Sequence, residues 1–334
     1  MTSVTLVTGA GGVGKTTLAA ALAQRSARSG TETLVLTVDP ARRLADALGL
    51  EHVGNDPTPT PEEGLSAAML DASAAWDEIA VTHAPPDVAA RLLANPFFRA
   101  VADRFPSGQA YAAAEQMVRH TESGQFEHVV VDTPPADGGL EFLTSARRIR
   151  SLVGGKVLSW LTGSRLPGRR MLYKLTARPA LKVADTILGG PLLEDVADFL
   201  LDLRETYDGV TVRSRTVEHH LRRAATVVVT TADPAPVAEA VRFFRELPSW
   251  ATSPDLVVFN RTLPASWAEA AHRDDPLGVN LARWGAEARR QAGVRREVAG
   301  RYGVAIATVP WLPEPPSTLD DLAAMLEGAE GLVS

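Results

Sequence analysis

The chain has 334 residues, 45% of them hydrophobic and 22% charged, with a formal net charge of −6. That balance belongs to a globular chain of one large or two modest domains, and no run approaches the roughly 18 apolar residues that a membrane-spanning helix needs. Cysteine is absent, which excludes disulfides, thiol nucleophiles, iron–sulfur ligation and Cys-based zinc sites.

In chain order, Val4-Thr5-Leu6-Val7-Thr8 reads as a buried strand that stops at Gly9. A strong helix former follows from Lys15 and closes at Gly30. Further strands are predicted at Thr33 to Val38, ending at Asp39-Pro40, and at Ala67 to Leu70, before Asp71. Four more are Val129 to Val131, ending at Asp132; Thr226 to Val229; Leu256 to Phe259, ending at Asn260; and Ala305 to Val309, ending at Pro310. Residues 56–62, rich in proline, read as a stiff loop. The strands are apolar throughout rather than alternating, as strands covered on both faces are. With long helical stretches between them, they predict an α/β fold with a doubly wound, mostly parallel sheet, whose ligands bind beyond the carboxyl ends of the strands. The intervals 72–124 and 140–222 are too long for simple crossovers. The pattern Leu192, Val196, Phe199, Leu203 after Pro191 is helical. Both intervals are expected to form one inserted helical subdomain, and 1–71, 125–139 and 223–334 the core.

Gly9-Ala10-Gly11-Gly12-Val13-Gly14-Lys15-Thr16-Thr17 fits G-x-x-x-x-G-K-[ST] between a strand and a helix. Glycines let backbone N–H groups converge on phosphate oxygens, and the helix N-terminus adds partial positive charge. Lys15 would neutralise β- and γ-phosphates, Thr16 would ligate Mg²⁺ and Thr17 would reach the α-phosphate. The chain writes its cations as Arg and has only four Lys, of which Lys15 alone precedes residue 156. A compact ammonium is used where an Arg fork would not substitute. Asp132, after a run of valines, is placed to hold Mg²⁺ through water, and Asp39 to orient an attacking water. Asn260 offers an amide matched to the adenine edge. The bland alternative for each is a cap or turn residue at a strand end. Adjacent His219 and His220 are expected on a solvated helix surface rather than as co-ligands.

The glycine loop, Val38-Asp39-Pro40-Ala41, Asp132-Thr133-Pro134-Pro135 with Leu140-Glu141-Phe142-Leu143 behind it, and Phe259-Asn260-Arg261 resemble the ArsA family. That family comprises arsenite-pump and tail-anchored-protein targeting ATPases of the deviant Walker A P-loop group. The resemblance implies a P-loop NTPase core that closes as a dimer over ATP and Mg²⁺, with Asp39 and Lys15 catalytic. It assigns Gly9, Gly11, Gly12, Val13, Gly14, Lys15, Thr16 and Thr17 to the phosphates, and Thr16 and Asp132 to the metal. Asn260 and Arg261, with Pro310 and Leu312 of Val309-Pro310-Trp311-Leu312, would hold adenine. Nucleotide state would open or close a client groove in the helical subdomain.

Three departures stand out. Ala10 occupies the position of the family's signature Lys, which crosses the dimer to the partner's phosphates. A homodimer would lack that cation at both sites, so a heterodimer with a paralogue that keeps the Lys is the sharper expectation; Arg42 or Arg43 supplying the charge is the weaker one. Without Cys the arsenite pump's thiolate site cannot form. Finally, Pro135-Ala136-Asp137-Gly138-Gly139 replaces the usual Thr-Gly-His of switch II.

Residues 142–184 contain no Asp or Glu but ten Arg and Lys, interleaved with Leu, Val and Trp. The segment reads either as a surface for a hydrophobic client helix or anionic membrane, or as a helical lid whose apolar face packs on its neighbours. The rival functions are a ParA- or MinD-like positioning ATPase and a weakly hydrolysing ATP-binding subunit of a heterodimer. The end of the chain, from Leu319 through Glu327, is acidic where a MinD-like chain would be basic, and nucleic acid is not an expected partner. No basic leader or cleavage site precedes the first strand, so a cytoplasmic location is expected, and peripheral membrane association only if the 142–184 segment is the anionic-membrane surface.

Overall fold

The computed structural model describes residues 2–38, 43–104, 106–134, 138–153, 198–199, 201–203, 207–247, 253–269 and 276–332. The chain divides into two compact units, one of Met1–Leu70, Arg119–Leu140 and Arg222–Ser334, the other of Asp71–Val118 and Glu141–Leu221.

The first unit is built on an eight-stranded sheet: β1 Ser3–Gly9, β2 Thr33–Thr37, β3 Thr58–Pro59, β4 Leu65–Met69, β5 His128–Asp132, β6 Ala225–Thr230, β7 Leu256–Thr262 and β8 Ala305–Pro310. Their order is β3-β4-β2-β5-β1-β6-β7-β8, parallel except for β3 against β4. All seven predicted strands are present. The eighth, β3, lies in the proline-rich stretch read as a loop. Two residues long and at the sheet's edge, it tolerates Pro59 because an edge strand has one side with no ladder to complete.

Helix α1, Lys15–Arg28, buries Leu18, Leu22 and an almost continuous run of alanines against the sheet. Small side chains let it lie close to the strands, and α2 (Arg43–Leu48) flanks it on the same face. Gly30, at φ 85°, closes α1 by donating to Ala27 O at 2.8 Å. That conformation costs glycine nothing and an L side chain about 1 kcal/mol or more. Val227, Val229 and Val258 point into the α1 face, Val228, Val257 and Phe259 into the opposite one. Alternate residues of one valine run thus serve two cores, which is why these strands show no polar–apolar alternation.

Helix α6 (Pro106–Glu122) leads into β5, which α7 (Gly138–Val153) follows, while α8 (Tyr207–Arg223) leads into β6. The second core lies under α9 (Pro234–Glu246) and α10 (Pro276–Tyr302), where Phe244 stacks on Tyr302 at 4.5 Å. Helix α11, Leu319–Glu327, packs back on the α1 side and opens with a reciprocal cap between Thr318 and Asp321.

The second unit is helical. Its described part contains α3 (Ala72–His83), α4 (Pro86–Ala94), α5 (Pro96–Arg104) and most of α6, α7 and α8. Asp71 caps α3 by accepting from Ser73 N and Ala74 N at 2.9 and 3.1 Å. Trp76, Phe98 and Tyr111 form its aromatic core, the Trp76 ring 6.3 Å from Phe98 and 5.9 Å from Tyr111. Of segment 142–184, residues 154–184 lie outside the described residues. In the part described, Phe142, Leu143, Ala146 and Ile149 are buried. Arg147 and Arg150 both pair with Glu218 of α8, and Arg148 pairs with Glu141. This portion is helix packing, as the lid reading expected. Of the Leu192–Leu203 pattern, Phe199 and residues 201–203 are described and helical. No helix of the described residues is long and apolar enough to cross a membrane.

Candidate functional site

The strand order sets β1 between β5 and β6, so residues ending three strands meet at the loop that follows β1. Gly9 pairs with Val229 in the β1–β6 ladder, and a Cβ on Gly9 would overlap the Val229 carbonyl oxygen. Gly11 and Gly12 are exposed at the tip of the loop, while Val13 is buried in the α1 core and anchors it. Gly14, at φ 97°, is the N-cap of α1, and a Cβ there would overlap the Asn260 amide nitrogen. Positions 9 and 14 need glycine for contact as well as for dihedral freedom.

Lys15 is buried, and its Nζ donates to Ala10 O at 2.8 Å, which folds the ammonium over its own loop. Thr16 Oγ1 donates to Asp132 Oδ2 at 2.7 Å. Asp132 is 1% exposed and also accepts from Thr37 Oγ1 at 3.0 Å. Thr37 ends β2 and sits opposite Asp132 in the β2–β5 ladder. Residue type alone did not single out Thr37, because its contact comes from a strand register that the sequence does not display. Thr133 closes the other side, its N–H and hydroxyl both donating to Val7 O at 3.1 and 3.0 Å. Thr17 is half-buried in the first turn of α1.

Asn260 reaches the same loop from β7. Its Nδ2 donates to Val13 O at 2.8 Å and its Oδ1 accepts from Arg261 N at 2.8 Å. Each bond uses one of the amide's two donors or one of its oxygen lone pairs. The β7–β8 register shifts between Phe259 and Thr262, and Arg261 at φ 58° is the irregular residue. The ladder resumes at Thr262 opposite Pro310, with Trp311 N donating to Thr262 O at 2.8 Å. Leu312 is partly buried against the α1 core. The structure thus gathers the glycine loop, Thr16, Asp132 and Asn260, with Pro310 at the end of the neighbouring strand and Leu312 just beyond it. Asp39, Arg42 and residues 135–137 lie outside the described residues.

Residues 2–275 match the family model described as Anion-transporting ATPase, the ArsA ATPase family. The chain belongs to the ArsA family. An uncharacterized protein of Streptomyces coelicolor is 30% identical over 332 residues, covering 96% of this chain and 74% of its own length. A Halobacterium salinarum protein provisionally named an arsenical pump-driving ATPase is 32% identical over 151 residues, 41% of this chain. That match spans 22% of the Halobacterium protein. ATPase get3 of Aspergillus terreus is 26% identical over 259 residues, 77% of this chain and 72% of its own length. An eight-stranded, mostly parallel sheet with a glycine loop after its central strand is the P-loop architecture expected of an ArsA family member.

Proposed function

We propose that this ArsA family chain is a Mg²⁺-dependent ATP hydrolase, and the hydrogen bond from Thr16 to Asp132 carries the reading. It joins the hydroxyl next to the loop lysine to the one buried carboxylate ending β5, the two oxygen donors that a Mg²⁺–nucleotide site of this kind needs. The donor set is hard oxygen throughout, which fits Mg²⁺. Thr16 would bind the ion directly and Asp132 through water, and the ion would neutralise charge building up on the phosphates. The N–H groups of Gly9, Gly11, Gly12, Val13 and Gly14 would cradle those phosphates, with Thr17 on the α-phosphate. Lys15 would leave the Ala10 carbonyl for the β- and γ-phosphates, and Asp39 would orient the attacking water. The second N–H and lone pair of Asn260 would meet the adenine edge, with Arg261, Pro310 and Leu312 around the base.

The wider proposal is a dimer that closes over ATP in the cytoplasm and couples that closure to a hydrophobic or membrane-associated client. The names of the arsenical pump-driving and get3 relatives support the ATPase part of it. The helical unit would face the client, and residues 154–184, with seven of the ten cations, would carry the contact. Ala10 has only a methyl where the signature Lys would stand, and that methyl is buried in the α1 core. A cation reaching across a dimer to the transferring phosphate is worth orders of magnitude in rate. The chain is therefore proposed to work best beside a paralogue that retains the Lys.

The test is Mg²⁺-dependent ATP turnover by the purified chain, with Asp39→Asn as control and Ala10→Lys beside it. A nearly idle wild type that Ala10→Lys accelerates supports the missing trans cation. Brisk turnover that Asp39→Asn alone abolishes makes the chain a self-sufficient homodimeric ATPase and removes the heterodimer. Turnover by none of them defeats the hydrolase reading.

A further inference from the structure

Thr8 is the last residue of β1 before the loop's first glycine. It is 2% exposed, and its backbone is fixed opposite Val228 in the β6 ladder. On one side the chain has no room to shift, because Gly9 already lies against the Val229 carbonyl. On the other side lies Gly139, the second residue of α7 and itself buried. A Cβ on Gly139 would overlap Thr8 Oγ1, and it would sit 2.8 Å from Thr8 Cβ and 3.4 Å from Phe243 Cε2 of α9. Rotating Thr8 about χ1 moves Oγ1 away but leaves Cβ in place, so no rotamer accommodates even a methyl group. The first turn of α7 therefore rests directly on the residue that enters the phosphate loop, and it does so because position 139 has no side chain.

We infer that Gly139 is a positioning residue: its contact with Thr8 sets the first turn of α7 against the entrance of the phosphate loop, so that the two shift together. Five residues separate Asp132 from α7. The contact thus joins the segment leaving Asp132 to the segment carrying Ala10, whose carbonyl holds Lys15. Packed interiors transmit displacements of this kind instead of absorbing them. An error of about 1 Å in placing reacting groups costs on the order of 100-fold in rate. The catalytic consequence rests on the nucleotide reading of the loop, whereas the contact itself does not.

Helix propensity gives the experiment a sign. With open space at residue 139, Gly139→Ala would firm the first turn of α7, because alanine is the better helix former. The contact with Thr8 predicts the reverse. Amide hydrogen exchange on the full chain without nucleotide should show Gly139→Ala accelerating exchange at least threefold in peptides spanning both 138–146 and 9–17. ATP turnover should fall about tenfold or more while ADP affinity changes less than threefold, a split that general destabilisation would not produce. Adding Thr8→Gly, which clears both overlapping atoms, should reverse the exchange change and recover most of the lost turnover.

Slower or unchanged exchange in Gly139→Ala overturns the inference, as does acceleration confined to 138–146 with the loop unaffected. So does a double variant that recovers nothing. If Gly139→Ala does not fold, folding of the double variant is the rescue, and its failure to fold overturns the contact. Should neither the wild type nor Ala10→Lys hydrolyse ATP, the hydrolase reading fails and the exchange comparison still decides this one.

Discussion

Thr16 and Asp132 are 116 residues apart in the chain, yet the Thr16 hydroxyl donates to the Asp132 carboxylate at 2.7 Å. The β1–β5 ladder makes this unavoidable: with Val7 opposite Asp132, the end of β5 lies beside the loop that begins two residues later. Thr37, arriving in the β2–β5 register, gives the same oxygen a second donor at 3.0 Å. Two hydroxyls on Oδ2 fix the rotamer of the carboxylate, which is the preorganisation that the proposed Mg²⁺ site would need.

Asp132→Asn keeps the shape of the side chain and removes its charge. Mg²⁺-dependent ATP turnover is expected to fall by roughly 100-fold or more, the scale seen when a preorganised electrostatic group is lost. Binding of ADP without Mg²⁺ should be retained, since the loop N–H groups are untouched. Titration of fluorescent ADP with and without Mg²⁺ separates the two effects, and equal losses in both would place Asp132 in a purely structural role.

Asn260 braces the C-terminal end of the loop through Val13 O and is also proposed to meet the base. Asn260→Ala removes one hydrogen bond to each of two backbone groups, at about 1 kcal/mol of stability per bond. It should also narrow the preference for ADP over GDP, with little effect on binding of inorganic triphosphate. Competition binding measures this. An unchanged ADP/GDP ratio would leave Asn260 as a brace alone.

His128 bridges two elements, with Nε2 2.9 Å from Thr5 Oγ1 and Nδ1 2.9 Å from Ser26 Oγ. Burial holds its imidazole below the ordinary value of 6.5. The unfolded chain therefore takes up this proton at a higher pH than the folded one. Stability is fully present above about 6.5 and declines as pH falls from there toward the folded value. His128→Gln keeps hydrogen-bonding groups but does not titrate. Urea unfolding from pH 8 down to pH 5 should show a decline below about 6.5 in wild type that is smaller in the variant. Parallel curves would show that His128 contributes nothing to acid sensitivity.

Asp71→Ala removes the cap of α3 and leaves the Ser73 and Ala74 N–H groups to water. A loss of about 1 kcal/mol is expected. Urea unfolding followed by far-ultraviolet circular dichroism should show it. Asp71→Ser, which can still cap, should recover most of the loss.

Seven strands could be placed from the sequence because each is a short apolar run ended by a glycine, a proline or a polar residue, and burial on both faces demands an apolar run. The glycine loop between β1 and α1 was legible for a related reason: a tight turn from a strand into a helix requires glycines at set positions, and spacing is what a sequence records. Strand β3 was not legible, since two residues beside a proline carry no period and exist as a strand only because β4 is there to pair with. The described start of the 142–184 segment shows a different limit. Its lack of acidic residues hid the fact that Glu218, from a helix far along the chain, neutralises Arg147 and Arg150.

Fold class, the glycine loop and family membership could be read before any coordinates, because periodicity, glycine spacing and residue chemistry are local properties written in order along the chain. Tertiary structure alone decided that Thr37 shares the Asp132 carboxylate, that Asn260 locks into the space Gly14 leaves open, and that Gly139 lies on Thr8. Each of these is a contact between strands or helices whose register is set by the packing of a whole sheet, and no local pattern encodes where two distant segments come to rest against each other.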